Sequence, residues 1–395
     1  MLFRDSETVI GAHFFANKTR SEKRETSMFD RRLINNFDWI LLAILIFIGA
    51  LSVINLYSAT HSIGSMGGGH VYFKQILWYI IGFFILLLMT TFDYHVLDRL
   101  AHPLFFISLI FLVAVLKSGK VTYGSQRWLS LGYFSIQPSE MVKISIIIVL
   151  AKYFSDLERT ENYRLRDLLR PLILIAIPFI MIIYQPDLGT ALMLLIISFS
   201  IIIFVNVNWK SIVIFLSIAF LSAPFFWITL QEYQKKRIIT FLRPDLDPLG
   251  AAYHVTQSKI AIGSGLFWGK GFLKGTQTRL HFLPQQHTDF PFSVLAEEWG
   301  FVGSAMLLLV YLFLILWCLN IAKNSKDKFG TLIVVGIAAS VFWHLIINVS
   351  MAIGLLPVVG IPLALFSYGG SSVISTMAAM GLVMNISMRR FMFQE

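Results

Sequence analysis

The chain has 395 residues, of which 56% are hydrophobic and only 14% are charged, and its mean hydropathy is +0.73. Soluble domains have roughly 45–50% apolar and about 25% charged residues, so this composition excludes a soluble enzyme and predicts an integral membrane protein. The net charge of +10 comes from basic residues near the ends of apolar segments, which indicates membrane topology rather than nucleic-acid binding. A single cysteine, Cys318, excludes an internal disulfide and a multi-cysteine metal site.

The N-terminal segment is polar and basic and carries no signal-peptide pattern. The sequence MFDRR at 28–32 has the form of a natural start, so we expect residues 1–27 to be a disordered extension. We predict a cytoplasmic tail over 1–38, a membrane domain over 39–388 and a cytoplasmic tail over 389–395.

Ten mostly apolar runs of about 20 residues follow, each long enough to cross a bilayer as a helix. We place them at 39–58, 72–91, 100–117, 137–154, 170–184, 188–206, 210–230, 293–319, 329–353 and 361–387. Lys and Arg concentrate in the loops on the side of the N-terminus, which predicts that both termini are cytoplasmic. The predicted fold is an all-α integral membrane protein with about ten transmembrane helices.

One long extracytoplasmic loop, 231–292, is predicted between the seventh and eighth helices. It contains a helical stretch over 253–262 and a glycine-rich run over 263–275. Long loops in compact domains are usually functional. We detect no internal repeat, which disfavours a transporter built from inverted repeats.

Asp289 lies near the end of this loop, directly after His287 and Thr288 and before an apolar run. A carboxylate at the border of a bilayer costs free energy unless it has a task or a partner. Two interpretations stay open at this point: Asp289 caps the next helix, or it performs chemistry.

Glu140 and Lys143 are spaced i, i+3 in the fourth span, so they share one helical face and can neutralise each other. Such an intramembrane pair marks either a functional interior or a structural pin between helices. Asp187 begins the sixth span, where we expect it to cap the helix.

His344 and Asn348 are spaced i, i+4 in the ninth span, and we expect both to form hydrogen bonds between helices. Glu297 and Glu298 lie in the first turn of the eighth span. There they are expected to interact favourably with the N-terminus of their own helix.

Several cations fall on the outer side, and they are either a solvated surface or the binding partners of a pyrophosphate. They are Arg127, Arg243, Lys259, Lys270, Lys274 and Arg279. No P-loop or dinucleotide pattern is present, which argues against a nucleotide substrate. A single carboxylate among cations and apolar walls suits a general base acting on a hydroxyl of a lipid-linked anion.

Long motifs of the chain resemble the SEDS (shape, elongation, division and sporulation) family. The similar segments are 123–143, 185–190, 237–250, 253–265, 269–303 and 348–372. The residues GTQ at 275–277 and MAIGLLPVVGIPL at 351–363 favour the elongation branch over the division branch.

This resemblance implies a ten-helix peptidoglycan glycosyltransferase of the bacterial inner membrane. Such enzymes polymerise lipid II into β-1,4 glycan strands at the outer face of the membrane during elongation and rod-shape maintenance. The essential aspartate of the family corresponds to Asp289, the base that deprotonates the 4-hydroxyl of the acceptor sugar. The attack inverts the anomeric carbon, and undecaprenyl pyrophosphate leaves.

The resemblance also assigns supporting residues. Glu140 and Lys143 match the buried pair of the family, and Arg127 matches a loop arginine expected to meet the pyrophosphate. Further pyrophosphate candidates are Arg243, Lys259 and Lys270, and His287 and Thr288 flank the base. The resemblance is compatible with a Mg²⁺ or Mn²⁺ ion near Asp289, and it implies a class B penicillin-binding protein and other membrane proteins of the elongation machinery as partners.

Four positions depart from the family pattern: Gln285 replaces Glu, Leu266 replaces the second Gly of a pair, Pro291 replaces a β-branched residue, and Ala364 replaces Pro. Pro291 restricts the backbone close to Asp289, so it affects how the carboxylate is presented. Two alternative functions remain: a lipid II flippase that uses Glu140 and Lys143, and a non-enzymatic scaffold of the elongation machinery.

Overall fold

The computed structural model describes residues 36–61, 69–122, 125–131, 134–157, 163–246, 250–280, 282 and 285–390. The predictions for residues 1–27 and for most of both tails lie outside these ranges. Thirteen α-helices are assigned within the described residues. They are α1 (Trp39–His61), α2 (Gly69–Thr91), α3 (His95–Ser118), α4 (Pro138–Asp156), α5 (Leu165–Tyr184), α6 (Leu188–Phe204), α7 (Trp209–Thr229), α8 (Glu232–Leu242), α9 (Ala251–Ser264), α10 (Thr276–Arg279), α11 (Pro291–Lys323), α12 (Lys328–Ala352) and α13 (Gly370–Arg389).

Seven of these helices are long and apolar enough to cross a membrane, namely α1, α2, α3, α5, α11, α12 and α13. Helix α6 is also apolar but has only 17 residues. Helices α4 and α7 coincide with the remaining predicted spans. Each of the ten predicted spans therefore overlaps a helix, and the multi-pass helical fold is confirmed.

One expectation was wrong in detail, and one element was not predicted. The tenth span was predicted over 361–387, but the helix begins at Gly370, and residues 361–369 are not helical. Pro362 and the positive φ of Leu365 (65°) are incompatible with a regular helix there. The structure also contains a small antiparallel sheet that was not predicted, with strand order β1 (Lys120–Thr122), β2 (Ser125–Leu131) and β3 (Phe134–Ile136).

The predicted loop 231–292 is largely structured. The predicted helix over 253–262 is confirmed within α9, whereas α8 was not predicted. Because α8 begins with the polar sequence EYQKKR, its hydropathy resembles that of a loop.

The centre of the molecule is formed by α4, α12 and α13. In α12 and α13, 67% of the most apolar window is buried, against 22% in α2. The peripheral helices expose large apolar side chains, such as Phe106 and Ile110 on α3. Outward-facing apolar side chains and a polar interior are expected of helices surrounded by lipid.

Asp38, just before α1, connects three helices at one end of the molecule. Its carboxylate accepts hydrogen bonds from Ser387 Oγ in α13 at 2.9 Å and from Trp317 Nε1 in α11 at 3.1 Å. The beginning of the first helix and the end of the last helix therefore lie on the same side. This agrees with termini on one side of the membrane, while their cytoplasmic orientation stays a prediction.

Helix α11 is interrupted at Gly300, which has φ 62° and ψ −156°. A Cβ atom at this position would collide with the backbone of Gly269, so only glycine fits. The 266–271 segment replaces the hydrogen bonds that the break removes. These bonds run from Lys270 N to Glu297 O (3.0 Å), from Gly271 N to Glu298 O (2.9 Å) and from Phe301 N to Leu266 O (2.9 Å). The glycine-rich run thus forms hydrogen bonds with the backbone on both sides of the break in α11, the helix that begins just after Asp289.

Candidate active site

Asp289 lies in a turn over 285–289 whose backbone is fixed at both ends. Its N–H donates to the carbonyl oxygen of Gln285 at 3.1 Å, and its own carbonyl accepts a hydrogen bond from Asn348 Nδ2 at 3.0 Å. Asn348 is fully buried in α12 and also donates to the carbonyl of Ile361 at 2.9 Å. The predicted hydrogen bonding of Asn348 is found, but its partners lie in the turn and in the non-helical segment before α13 rather than in another helix.

Two further contacts hold the residues on either side of Asp289. The N–H of Tyr368 donates to the carbonyl of His287 at 2.9 Å. Asn55 Nδ2 in α1 donates to the carbonyl of Pro291 at 3.0 Å. Pro291 is the first residue of α11, a position at which the missing N–H and the fixed φ of proline are tolerated.

Asp289 lies in the walls of two cavities. The outer cavity has a volume of about 580 Å³ and is bounded by α8, α9 and the turn. Its charged and polar lining includes Lys236, Arg237, Thr240, His254, Lys259, Gln285 and Asp289. Three cations therefore face a space that also contains the carboxylate.

The inner cavity has a volume of about 150 Å³ and lies between the turn and the central helices. It is lined by Asp289 and Thr288 together with Arg127, Trp128, Gln137, Glu140, Lys143, Thr190, His344 and Tyr368. The predicted intramembrane pair and the predicted base thus share one cavity, although about 150 residues separate them in sequence.

Burial raises the pKa of the Asp289 carboxyl above its ordinary value. The guanidinium of Arg237, a hydrogen bond from Thr288 and the guanidinium of Arg127 oppose this effect and favour the carboxylate. Burial lowers the pKa of His287, and burial together with Arg237 lowers the pKa of His254. Both imidazoles are therefore biased toward the neutral form.

The predicted pair of Glu140 and Lys143 is an ion pair with 2.8 Å between Glu140 Oε1 and Lys143 Nζ. Both residues are buried in α4. Lys143 Nζ also donates to His344 Nε2 at 3.0 Å, so the expected interhelical role of His344 is confirmed. The opposite charges of Glu140 and Lys143 cancel, so this wall of the inner cavity has no net charge.

Arg127 lies on β2 and reaches the inner cavity, but its guanidinium already has protein partners. Its Nη2 donates to the carbonyl of Pro186 at 3.2 Å, and its Nε lies 3.4 Å from Asp187 Oδ2. Asp187 also accepts a hydrogen bond from the N–H of Thr190 at 3.2 Å, which confirms its predicted role as the cap of α6.

Two predicted pyrophosphate candidates lie away from the carboxylate. Lys270 Nζ is 2.7 Å from Glu297 Oε1, and neither residue lines the two cavities as described. Arg243 is exposed and is likewise absent from the described lining. Glu297 does not interact with its own helix N-terminus as expected: its carboxylate accepts from Gln277 N at 3.0 Å, in the first turn of α10.

Sequence reasoning missed Lys236, Arg237 and His254 as residues of the outer cavity. The signal was present in the spacing, because Lys236 and Thr240 are separated by four residues and lie on one face of a helix. A helical interpretation of 232–242 would have placed both on the same face, although not next to Asp289.

Besides Pro291, the other three departures from the family pattern have distinct structural settings. Gln285 lines the outer cavity and has φ 51°. Leu266 also has a positive φ, 50°, and its side chain is 80% exposed. Ala364 is buried, and its carbonyl accepts a hydrogen bond from the hydroxyl of Tyr311.

Within the described residues, no group of three or more His, Cys, Asp or Glu side chains is arranged to hold a metal ion. The carboxylate of Asp289 lines both cavities. The inner cavity is also lined by Glu140, whose carboxylate is paired with Lys143. Mg²⁺ is commonly bound by one or two carboxylates together with substrate phosphates. The donor set is therefore compatible with a cation that a phosphate-bearing substrate supplies with further oxygens.

Comparison with known sequences gives one family. The sequence profile of the FtsW/RodA/SpoVE cell cycle proteins matches residues 35–391. The peptidoglycan glycosyltransferase MrdB of Escherichia coli strain K12 is 38% identical over 366 residues, which cover 90% of this chain and 94% of MrdB.

Two solved structures are similar to this chain over most of their length. One comes from work on the structural coordination of polymerization and crosslinking by a peptidoglycan synthase complex. It has a TM-score of 0.77 and 31% identity and covers 91% of this chain and 99% of the other. The crystal structure of the rod shape determining protein RodA of Thermus thermophilus has a TM-score of 0.67 and 28% identity, with 90% and 98% coverage.

Proposed function

Because the chain belongs to the FtsW/RodA/SpoVE family and is a peptidoglycan glycosyltransferase of the bacterial inner membrane, we propose that Asp289 is the general base of its polymerisation reaction. The substrate is lipid II, and the product is a β-1,4 glycan strand made during cell elongation. The reaction takes place at the outer face of the membrane.

One observation carries this proposal: the same carboxylate lines a cationic outer cavity and a neutral, polar inner cavity. A glycosyl transfer with a diphosphate leaving group needs cations on the side of the departing anion. It also needs a base on the side of the attacking hydroxyl. The two cavities offer these two environments on either side of Asp289.

In the proposed step, a carboxylate oxygen of Asp289 takes the proton of the acceptor 4-hydroxyl. The acceptor oxygen forms a bond to the anomeric carbon of the growing chain, and the bond from that carbon to the diphosphate breaks with inversion. Arg237 and Lys259 stabilise the negative charge of the departing undecaprenyl pyrophosphate. Positioned proton transfer of this kind contributes roughly 10²–10⁴-fold to the rate.

Asp289 must be ionised to act as a base, although its burial favours the protonated form. Arg237 and Arg127 oppose this effect of burial on the pKa of Asp289 and favour the carboxylate. The bond from Asn348 to the main-chain carbonyl of Asp289 holds the backbone that carries the carboxylate, and precise base placement requires a fixed backbone.

A divalent cation would be held by Asp289 together with phosphate oxygens of the substrate and would supply further stabilisation of the leaving group. The proposed partner is a class B penicillin-binding protein, a transpeptidase that crosslinks the strands. The similarity to a component of a peptidoglycan synthase complex supports this assignment.

The test is a polymerisation assay with the purified protein and lipid II, with and without the transpeptidase partner and with Mg²⁺ or Mn²⁺. Glycan ladders are expected from the wild type and from Asp245→Ala, which removes an exposed aspartate in the same loop. They should be lost in Asp289→Ala.

Equal ladders from Asp289→Ala and the wild type would overturn the role of Asp289. If neither protein makes polymer with the partner present, a lipid II translocation assay decides between a flippase and a scaffold.

A further inference from the structure

Lys143 uses two of its three N–H donors within the protein. Its Nζ lies 2.8 Å from Glu140 Oε1 and 3.0 Å from His344 Nε2. The other nitrogen of the imidazole, His344 Nδ1, is 2.7 Å from the carbonyl oxygen of Ser340. A carbonyl only accepts and an ammonium only donates, so Nδ1 carries the proton and Nε2 accepts. The contacts therefore require a neutral His344 with its proton on Nδ1.

The third donor of Lys143 is constrained by the other two. The donors of an ammonium group are tetrahedrally arranged around Nζ, so two occupied directions fix the third. Glu140 is itself held in place by Ser375, whose hydroxyl donates to Glu140 Oε2 at 3.0 Å. Rotation of the ammonium would break a buried hydrogen bond on each side, and such a loss is costly.

Lys143, Glu140 and His344 all line the inner cavity, together with Asp289 and Thr288. The other charged group that lines it is Arg127, which is paired with Asp187. A sugar whose hydroxyl reaches Asp289 from the inner cavity therefore occupies a cavity that Lys143 also lines. Its ring oxygens, hydroxyls and acetamido carbonyl are all hydrogen-bond acceptors for an ammonium donor.

We propose that His344 is a positioning residue for glycan polymerisation: it orients Lys143 so that the third N–H of the ammonium donates to an oxygen of the acceptor sugar in the inner cavity. This inference rests on the proposed function, because it assigns the inner cavity to the acceptor. His344 itself acts through Lys143 and touches no substrate atom in this scheme.

The first test is independent of activity. Protein labelled with ¹⁵N in the imidazole rings of its nine histidines is measured by NMR, and the His344 signals are identified by their loss in His344→Gln. A neutral ring with the proton on Nδ1 is expected between pH 6 and 8. A ring protonated on Nε2, or on both nitrogens, would overturn the inference.

The second test compares His344→Gln, which retains an acceptor oxygen, with His344→Leu, which has none. Leu345→Ala is the control, because it removes a neighbouring buried side chain that lines neither cavity. In His344→Leu the ammonium of Lys143 loses its acceptor at residue 344 and is no longer oriented toward the sugar. The KM for lipid II should therefore rise about tenfold. His344→Gln should stay within about threefold of the wild type.

Leu345→Ala should lower the melting temperature without changing KM. Equal KM values for His344→Leu and the wild type, or equal defects in the Leu and Gln variants, would overturn the inference. If the wild type makes no polymer while the NMR signature is as expected, the proposed function fails and the placement of His344 stands.

Discussion

Asn348 Nδ2 donates to the main-chain oxygen of Asp289 over 3.0 Å, across 59 residues of sequence. The same amide group donates to the carbonyl of Ile361, which lies in the non-helical segment before α13. A single buried side chain thus fixes the turn that contains Asp289 relative to two walls of the inner cavity. Placement of the carboxylate depends on α12 as much as on the loop that contains it.

Substitution of Asn348 by Leu should lower activity more than stability alone explains. It removes the Asn348 donor from one buried carbonyl, of Ile361, and from one part-buried carbonyl, of Asp289, and a buried group left unsatisfied costs about 1–3 kcal/mol. The turn should then move, and kcat for glycan formation should fall. Ser200→Ala is the control, because it removes the acceptor of a hydrogen bond from Trp343 Nε1 elsewhere in the bundle. Equal kcat values for the two variants at matched folded fractions would contradict this role.

Arg237→Gln should move the acid limb of the pH–rate profile to higher pH. Arg237 favours the carboxylate of Asp289 against the effect of burial, so its removal raises the pKa of that carboxyl further. More protein then holds a protonated, inactive base at a given pH. Lys236→Gln removes a neighbouring cation of the same cavity and should leave the limb in place. The profile of kcat/KM between pH 5 and 8 decides between these outcomes.

Asp289→Asn should be more stable than the wild type at neutral pH. Burial raises the pKa of Asp289 in the folded state, so ionisation opposes folding. The contribution of Asp289 to stability is fully present below its pKa in the unfolded chain, ordinarily 3.8, and is lost as pH rises through its pKa in the folded protein. The difference in melting temperature between the two proteins should therefore grow from acidic to neutral pH. A constant difference would mean that Asp289 is not the titrating group.

Leu266→Gly should stabilise the protein. Leu266 has φ 50°, a backbone conformation that costs a non-glycine residue about 1–2 kcal/mol. Its exposed side chain loses little burial on truncation, and the higher entropy of glycine in the unfolded chain offsets about half of the gain. Leu280→Gly is the matched control, since Leu280 is also exposed but has φ −88°, and it should be destabilising. Melting temperatures of the two variants should change in opposite directions.

Hydropathy predicted the spans because lipid contact imposes an apolar surface on each helix, and the i, i+3 spacing predicted the pair of Glu140 and Lys143. The sheet over 120–136 was missed because its outer strands have three residues each, too few for an alternating pattern. The partner of Lys270 could not be predicted because Glu297 meets it only after the break at Gly300 brings the loop back onto α11. Tertiary contacts of this kind leave no periodic trace in the sequence.

The proposal that the carboxylate of Asp289 removes the acceptor proton can be tested by the pH dependence of kcat/KM for lipid II polymerisation. The wild type and Asp289→Asn are compared, each with the proposed transpeptidase partner. We expect the wild-type rate to rise tenfold per pH unit below the pKa of Asp289. Asp289→Asn should be slower by about 10²–10⁴-fold and should lack this dependence. An Asn variant that retains the wild-type rate or the same acid limb would show that Asp289 is not the base.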